Sequence, residues 1–398
     1  VTGGSDTGAA PAASDLLKHA EALSDEFLAE LQSMVNVDCG SYTPAGVNVI
    51  ADRMQSSFEA LGWTTERRSH QPEEGRPQVG DLLIGRLQGA NPAGRRVLLV
   101  GHMDTVFEAG TAAERPFAIL DGRATGPGVS DMKGGLLTGR YAVTCLQRAG
   151  FDDFAEVVYA CNPDEEIGSP FSGPHIRELA KDADASFVLE GARENGDIVS
   201  ARKGVADIRV TYHGRAAHAG VEPERGRSAT LQAAHATIAL HALNGRWPGV
   251  TVNVGVVHGG TRPNVVAPSC DLEVDMRAVT QASFDEAVAE VQRVAETIAV
   301  PDVTAEFVLK AGFPPMEKTE AIGRLAERAK LVAAELGITL SDASTGGASD
   351  ANPIAGMGKP VLDGLGPIGG DDHSPTEWLD VASIPPRVAL LAALIASA

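Results

Sequence analysis

The chain has 398 residues, 43% of them apolar, and 33 Lys+Arg against 53 Asp+Glu give a net charge of −20. The length allows two domains, and the apolar content fills a large core. The acidic balance argues against nucleic acid and anionic membrane as partners, and no run approaches the roughly eighteen apolar residues of a membrane span. In chain order, residues 1–14 read as a flexible lead-in without the basic-then-apolar pattern of a signal peptide. The chain begins with Val, so a removed leader stays open. A helix is expected from Ser14 through "SDLLKHAEALSDEFLAELQSMV", and a second from about Pro44. "DLLIGRLQG" and "RRVLLVGHMD" read as strands, the second an unbroken apolar run ending in polar residues, as in a strand covered on both faces. "DMKGGLLTGRYAVTCLQRAG" is helical, and "AEVVYACNPDEE" and "ASFVLEG" are further buried strands with polar ends. The alternation predicts an α/β domain with a mostly parallel mixed sheet covered by helices.

The pattern changes near Gly204. "VADIRVTYHGRA", "TVNVGVVHGG", "SCDLEVDMRAV" and "VTAEFVLKA" alternate as half-exposed strands do, around two amphipathic helices beginning near Ser228 and Ser283. This is an inserted α+β sandwich over 205–313, dividing a first domain of 15–204 and 314–398. Four scattered cysteines, Cys39, Cys145, Cys161 and Cys270, exclude a Cys-x-x-Cys metal site and a disulfide scaffold, and suit a reducing, cytoplasmic setting.

The polar clusters sit at the carboxyl ends of the expected parallel strands, where open α/β sheets build their sites. They are "GHMDT", "GPGVSDMKGG", "NPDEEIG", "LEG" and "DDHSPTE", and they hold His102, Asp104, Asp131, Glu165, Glu166, Glu190 and His373. A lone strand-end Asp or His is ordinarily a cap or a surface group. Five clusters at one sheet edge, most with Gly beside them, make a stronger signal. Two histidines and three carboxylates match the donors that two zinc ions sharing one carboxylate require.

In order along the chain, "GHMDTV", "GPGVSDMKGG", "NPDEEIGS", "LEG", "HAG" and "DDHSPTEWLDV" resemble the co-catalytic zinc family of aminoacylases, acetylornithine deacetylase, succinyl-diaminopimelate desuccinylase and bacterial glutamate carboxypeptidases. The glutamate carboxypeptidase branch is the nearest, through "SDMKGG", "NVVAPSCDLEVDMR" and "GFPPM". The resemblance implies a zinc peptidase catalytic domain, two zinc ions per subunit (cobalt or manganese as substitutes), and an inserted lid that forms a homodimer. It implies His102 and Glu190 on one ion, Glu166 and His373 on the other, and Asp131 bridging both. Asp104 would hold the His102 imidazole in its ligating tautomer. Glu165 would be the general base for a metal-bridging hydroxide. A cis peptide would follow Asp131.

His218 lies in the "HAG" of the insertion; by the resemblance it reaches a partner's active site and helps to hold the scissile carbonyl oxygen. Asn264 and Arg277 would bind the substrate carboxylate. Gly346 and Gly347 of "STGGASD" would offer main-chain N–H groups, with Arg202 as a further cation. The implied reaction is hydrolysis of a peptide or N-acyl amino acid that releases a free α-carboxylate. Phe313, in "AGFPPM", departs from the Arg of the glutamate carboxypeptidase pattern, which moves the expected side chain of the released residue away from glutamate. The competing readings are a deacylase, dipeptidase or aminopeptidase of the same clan, and an inactive homologue acting as a binding module. Glu190, where the aminopeptidases have Asp, weighs against the aminopeptidase.

Overall fold

The computed structural model describes residues 10–72 and 77–397. The chain divides into two compact units. One runs to Ser200 and takes in Lys318–Ser344 and the chain from Met357; the other holds Ala201–Glu317 and Thr345–Gly356. The Gly-rich segment around Gly346, assigned from sequence to the first domain, thus has its contacts in the second unit. Arginine side chains of that unit bind its carbonyls, as shown below. Of the expected lead-in, residues 1–9 lie outside the described residues, and Ala13 and Ser14 already belong to the first helix.

The first unit is built on a six-stranded sheet ordered Thr64–Arg68, Leu82–Gln88, Glu156–Asn162, Arg96–His102, Ala185–Val188, Val361–Leu362. The first two strands run antiparallel to their neighbours and the other four are parallel to one another. Arg96–His102 and Glu156–Asn162 are buried at every position after the first, which is why their sequences are apolar without alternation. Register aligns His102 with Asn162 and Val100 with Val188, so the polar residues that end these strands emerge at one edge. Helix Gly134–Arg148 packs on Arg96–His102, and Ile384–Ser397 packs on that helix. The latter is apolar on nearly all sides, as a helix enclosed by others must be. The long first helix expected from sequence is instead two, Ala13–Glu21 and Ser24–Val35; the second starts where Ser-Asp-Glu supplies an acidic first turn.

A small antiparallel sheet was not foreseen. It joins Ala118–Leu120, Arg123–Thr125, Trp378–Asp380 and Gly369–Gly370. Its middle pair brings the segment entering Gly126–Lys133 beside the one leaving Asp371–Glu377.

The second unit is a four-stranded antiparallel sheet ordered Thr251–Gly259, Ser269–Ala278, Gly204–His213, Thr304–Phe313. Ala206, Ile208, Val210 and Tyr212 alternate into a core shared with Leu272, Val274 and Met276. Helices Ala229–His241 and Gln281–Ala295 close that core, started by the side-chain caps Ser228 and Thr280. Among the described residues no helix is long and apolar enough to cross a membrane.

Candidate metal centre

His102, the Glu165–Glu166 turn and Glu190 come at the ends of three parallel strands, whereas Asp131 and His373, expected from sequence at the same sheet edge, follow strands of the small antiparallel sheet. All meet in a single acidic site in the first unit. His102 is the last residue of its strand, and its Nδ1 lies 2.9 Å from the main-chain oxygen of Asp104. A carbonyl only accepts, so Nδ1 carries a proton, and Nε2 is the nitrogen left to take a second proton or a cation toward Asp131. The sequence reading gave this task to Asp104 without specifying the atom, and here the main-chain oxygen is the nearer one. The Asp104 carboxylate is 3.5 Å from Nδ1. It accepts instead the Ser41 hydroxyl at 2.7 Å and the N–H groups of Glu165 and Glu166 at 3.1 and 3.2 Å. Asp104 therefore orients His102 with its backbone and the Glu165–Glu166 turn with its side chain.

Asp131 sits in the turn Val129–Lys133 before helix Gly134–Arg148, and the Asp131–Met132 peptide is cis. The next turn packs tightly against the Glu190 strand: a Cβ on Gly135 would lie 1.8 Å from the Leu189 carbonyl oxygen. Asp131 faces a histidine with each oxygen, Oδ1 at 2.9 Å from His102 Nε2 and Oδ2 at 3.0 Å from His373 Nε2. Glu190 Oε1 is 3.8 Å from His102 Nε2, and Glu166 Oε2 is 3.2 Å from His373 Nε2. The result is two triads, His102–Asp131–Glu190 and Asp131–Glu166–His373, with the ligand atoms of each within 4.8 Å of one another. His373 comes from the loop after Gly369–Gly370; both it and Asp371 hold positive φ, 62° and 56°, a backbone region that non-glycine residues seldom occupy.

The electrostatics favour positive charge here. Burial works against a charged His102, yet the carboxylates of Asp104 and Asp131, with Glu190 behind them, raise its pKa well above the usual value. Asp131 and Glu166 push His373 up to about 11. Burial opposes ionisation of Asp131, and the two histidines outweigh it and hold the carboxyl low. A cation at each histidine satisfies the same demand as a proton. Glu166 adds a sharper sign: its Oε1 is buried and has no hydrogen-bond partner among the described residues. Neutral imidazole nitrogens and carboxylates, five residues with one shared, fit a pair of divalent ions of the zinc type.

Glu165, Glu166 and Asp164 point to separate tasks. Glu166 joins the second triad. Glu165 opens the same short turn, half-buried, its N–H held by Asp104. Asp164 is fully buried and accepts the Phe171 N–H at 2.7 Å and the Ser172 N–H and hydroxyl at 3.3 and 2.5 Å. It folds the loop back toward helix Gly173–Ala180.

Sequence reasoning missed Glu377 and Ser41. Glu377 accepts the N–H groups of Gly128, Ser130 and Asp131. Burial pushes its carboxyl up to about 7, against those three donors, and the Asp131 charge adds to the rise. Its only sequence signal was a carboxylate inside the "DDHSPTE" cluster.

In the second unit, His218 pairs across a bridge with Val265, and the Ala219 N–H donates to the Asn264 carbonyl at 3.0 Å, so His218 and Asn264 are brought close together, both exposed. Arg277 is already engaged: Nε lies 3.1 Å from Asp275 Oδ1, and Nη1 donates to the Gly346 carbonyl at 2.7 Å. Arg202, buried, donates to the Gly347 carbonyl at 3.1 Å. These two arginines, read from sequence as substrate cations, hold the Gly346–Gly347 turn through its carbonyls.

Comparison with known proteins gives the family. The chain is 30% identical to Carboxypeptidase G2 of Pseudomonas sp. (strain RS-16) over 368 residues, 92% of this chain and 87% of that protein. It is 28% identical to acetylornithine deacetylase of Myxococcus xanthus over 265 residues, 63% of this chain and 66% of that one. The crystal structure of aminopeptidase PepT from Bacillus cereus superposes with a TM-score of 0.74 at 25% identity, covering 94% of this chain and 98% of that one. The profile of Peptidase family M20/M25/M40 matches residues 98–397. The chain belongs to Peptidase family M20/M25/M40 and is a hydrolase of that metal-dependent peptidase and amidohydrolase family.

Proposed function

We propose that the protein hydrolyses the amide bond of a peptide or N-acyl amino acid and releases an amino acid with a free α-carboxylate, as a glutamate carboxypeptidase does. The observation that carries this reading is the pair of triads joined through Asp131, in a chain with this likeness to Carboxypeptidase G2. His102, Asp131 and Glu190 hold one zinc ion, and Asp131, Glu166 and His373 the other; cobalt or manganese suit the same donors. Ions bound there supply a Lewis acid for the carbonyl oxygen and make water a nucleophile near neutral pH. Glu165 takes the proton of the attacking water and delivers it to the leaving amide nitrogen. Asp104 fixes the backbone of Glu165 and Glu166 together, so base and ligand keep a constant spacing.

The unit that holds both triads carries catalysis, and the second unit, Ala201–Glu317 with Thr345–Gly356, forms a lid and dimer interface. In a homodimer His218 reaches the second copy's site and helps to bind the carbonyl oxygen. Asn264 and the N–H groups of Gly346 and Gly347 receive the substrate carboxylate, with Arg277 and Arg202 shaping that turn. The four buried, unpaired cysteines support a cytoplasmic location.

Phe313 favours a second reading of specificity. It is half-buried at the end of strand Thr304–Phe313, where a glutamate-selective relative is expected to carry Arg. An apolar side chain there suits a deacylase or dipeptidase that releases residues other than glutamate. A panel of N-acyl amino acids and dipeptides, varied at the C-terminal residue, separates the two. The zinc-loaded protein should turn over apolar members faster than glutamate; a clear glutamate preference rejects the second reading, and no hydrolysis of any member rejects both.

A further inference from the structure

Glu377 lies outside both triads, yet its side chain is buried at 1% exposure and its oxygens are spent on one turn of main chain. Oε1 accepts the Ser130 and Asp131 N–H groups at 2.8 and 3.0 Å, and Oε2 accepts the Gly128 N–H at 2.9 Å. Those donors flank the carboxylate that faces both histidines. Glu377 also ends the loop that carries His373, its own N–H donating to the Ser374 carbonyl at 3.4 Å. The short strand that follows, Trp378–Asp380, pairs with Arg123–Thr125, which leads into the Asp131 turn. One carboxylate thus ties together two segments far apart in sequence, each of which supplies a ligand.

We propose that Glu377 is a positioning residue for the two-ion site: it fixes the Asp131 turn against the His373 loop and so sets the spacing of the bridging carboxylate. The proposal rests on the two-ion reading above. A ligand loop freed by one turn of slack can keep its fold and still lose the spacing that two ions demand. Carboxylate shape alone is not enough. In Glu377→Gln the amide nitrogen replaces one acceptor, so one of the three N–H groups meets a donor.

The test measures zinc affinity of the full chain by competition with a chromophoric chelator, alongside kcat and KM at saturating zinc. Glu377→Gln should bind zinc about 10- to 100-fold more weakly than the unaltered chain. Its kcat should fall, while KM stays within about twofold because no substrate contact is removed. Tyr141→Phe serves as the structural control, since it removes a hydroxyl that donates to Glu30 at 3.0 Å inside the helical layer. It should lower Tm and leave zinc affinity unchanged. Zinc affinity of Glu377→Gln equal to that of the unaltered chain overturns the positioning role. An unaltered chain that binds no zinc overturns the two-ion reading, and this inference with it. If Glu377→Gln fails to fold, hydrogen exchange of the unaltered chain decides: the Gly128, Ser130 and Asp131 amides should be protected, and exchange at the rate of open loops overturns the proposal.

Discussion

Three adjacent acids, Asp164, Glu165 and Glu166, would repel one another if they shared one environment. They do not: Asp164 binds the loop to Phe171 and Ser172, Glu166 faces His373, and Glu165 opens the turn that Asp104 anchors. The three side chains should therefore fail in different ways. Glu165→Gln should keep its metal and lose turnover by a factor of about 100 or more; activity within tenfold of the unaltered enzyme excludes it as the base. Asp164→Ala removes the acceptor of the buried Ser172 N–H and the half-buried Phe171 N–H and should cost about 1–3 kcal/mol of stability, read as a drop in the denaturant midpoint. The Asp104 finding separates atom from residue in the same way. Asp104→Asn keeps the carbonyl that orients His102 but offers the Glu165 and Glu166 N–H groups one acceptor oxygen in place of two. Zinc affinity should fall less in Asp104→Asn than in His102→Ala; an equal loss would assign the orienting role to the side chain.

At the scale of elements, the site depends on strands that end level and on loops that are pinned. One pin is Asp342, whose carboxylate accepts Lys318 Nζ at 2.6 Å, Lys330 Nζ at 2.7 Å and the Ser200 hydroxyl. Burial opposes its ionisation, but those hydrogen bonds prevail and hold the carboxyl below its usual value. A carboxyl held low in the folded state stabilises the fold fully above the unfolded value of about 4, and that stability drains away as pH falls further. Asp342→Asn should therefore flatten the acid limb of the stability curve below about pH 4, and a limb of unchanged slope would show that Asp342 titrates normally. The buried parallel strands were legible in the sequence because a strand covered on both faces is an unbroken apolar run with polar residues where it emerges. The helices of the second unit were legible through their amphipathic spacing, although the second begins at Gln281 behind its cap Thr280, ahead of the Ser283 expected from sequence. The small sheet was not, since strands of two or three residues carry no periodicity. Nor were the partners of Glu377 and the orienting atom of Asp104, because main-chain N–H and C=O groups are the same in every residue and acquire an address only when the chain folds.

For the whole molecule, the proposed assembly divides each active site between two copies. Glu165 belongs to one chain and His218 to the other. Glu165→Gln and His218→Ala should each be nearly inactive alone. Unfolded and refolded together in equal amounts, they should recover about a quarter of full activity, because half of the dimers are mixed and each mixed dimer has one complete site. No recovery in a preparation shown to be dimeric would place His218 outside its neighbour's site. Nearer the chemistry, one shared carboxylate is proposed to join two cation sites. Isothermal titration of zinc into chelator-stripped protein tests it most directly. Two ions should bind per chain, with both lost or strongly weakened in Asp131→Ala and one retained in His373→Ala; a single ion per chain, or two that survive in Asp131→Ala, would exclude a bridging Asp131.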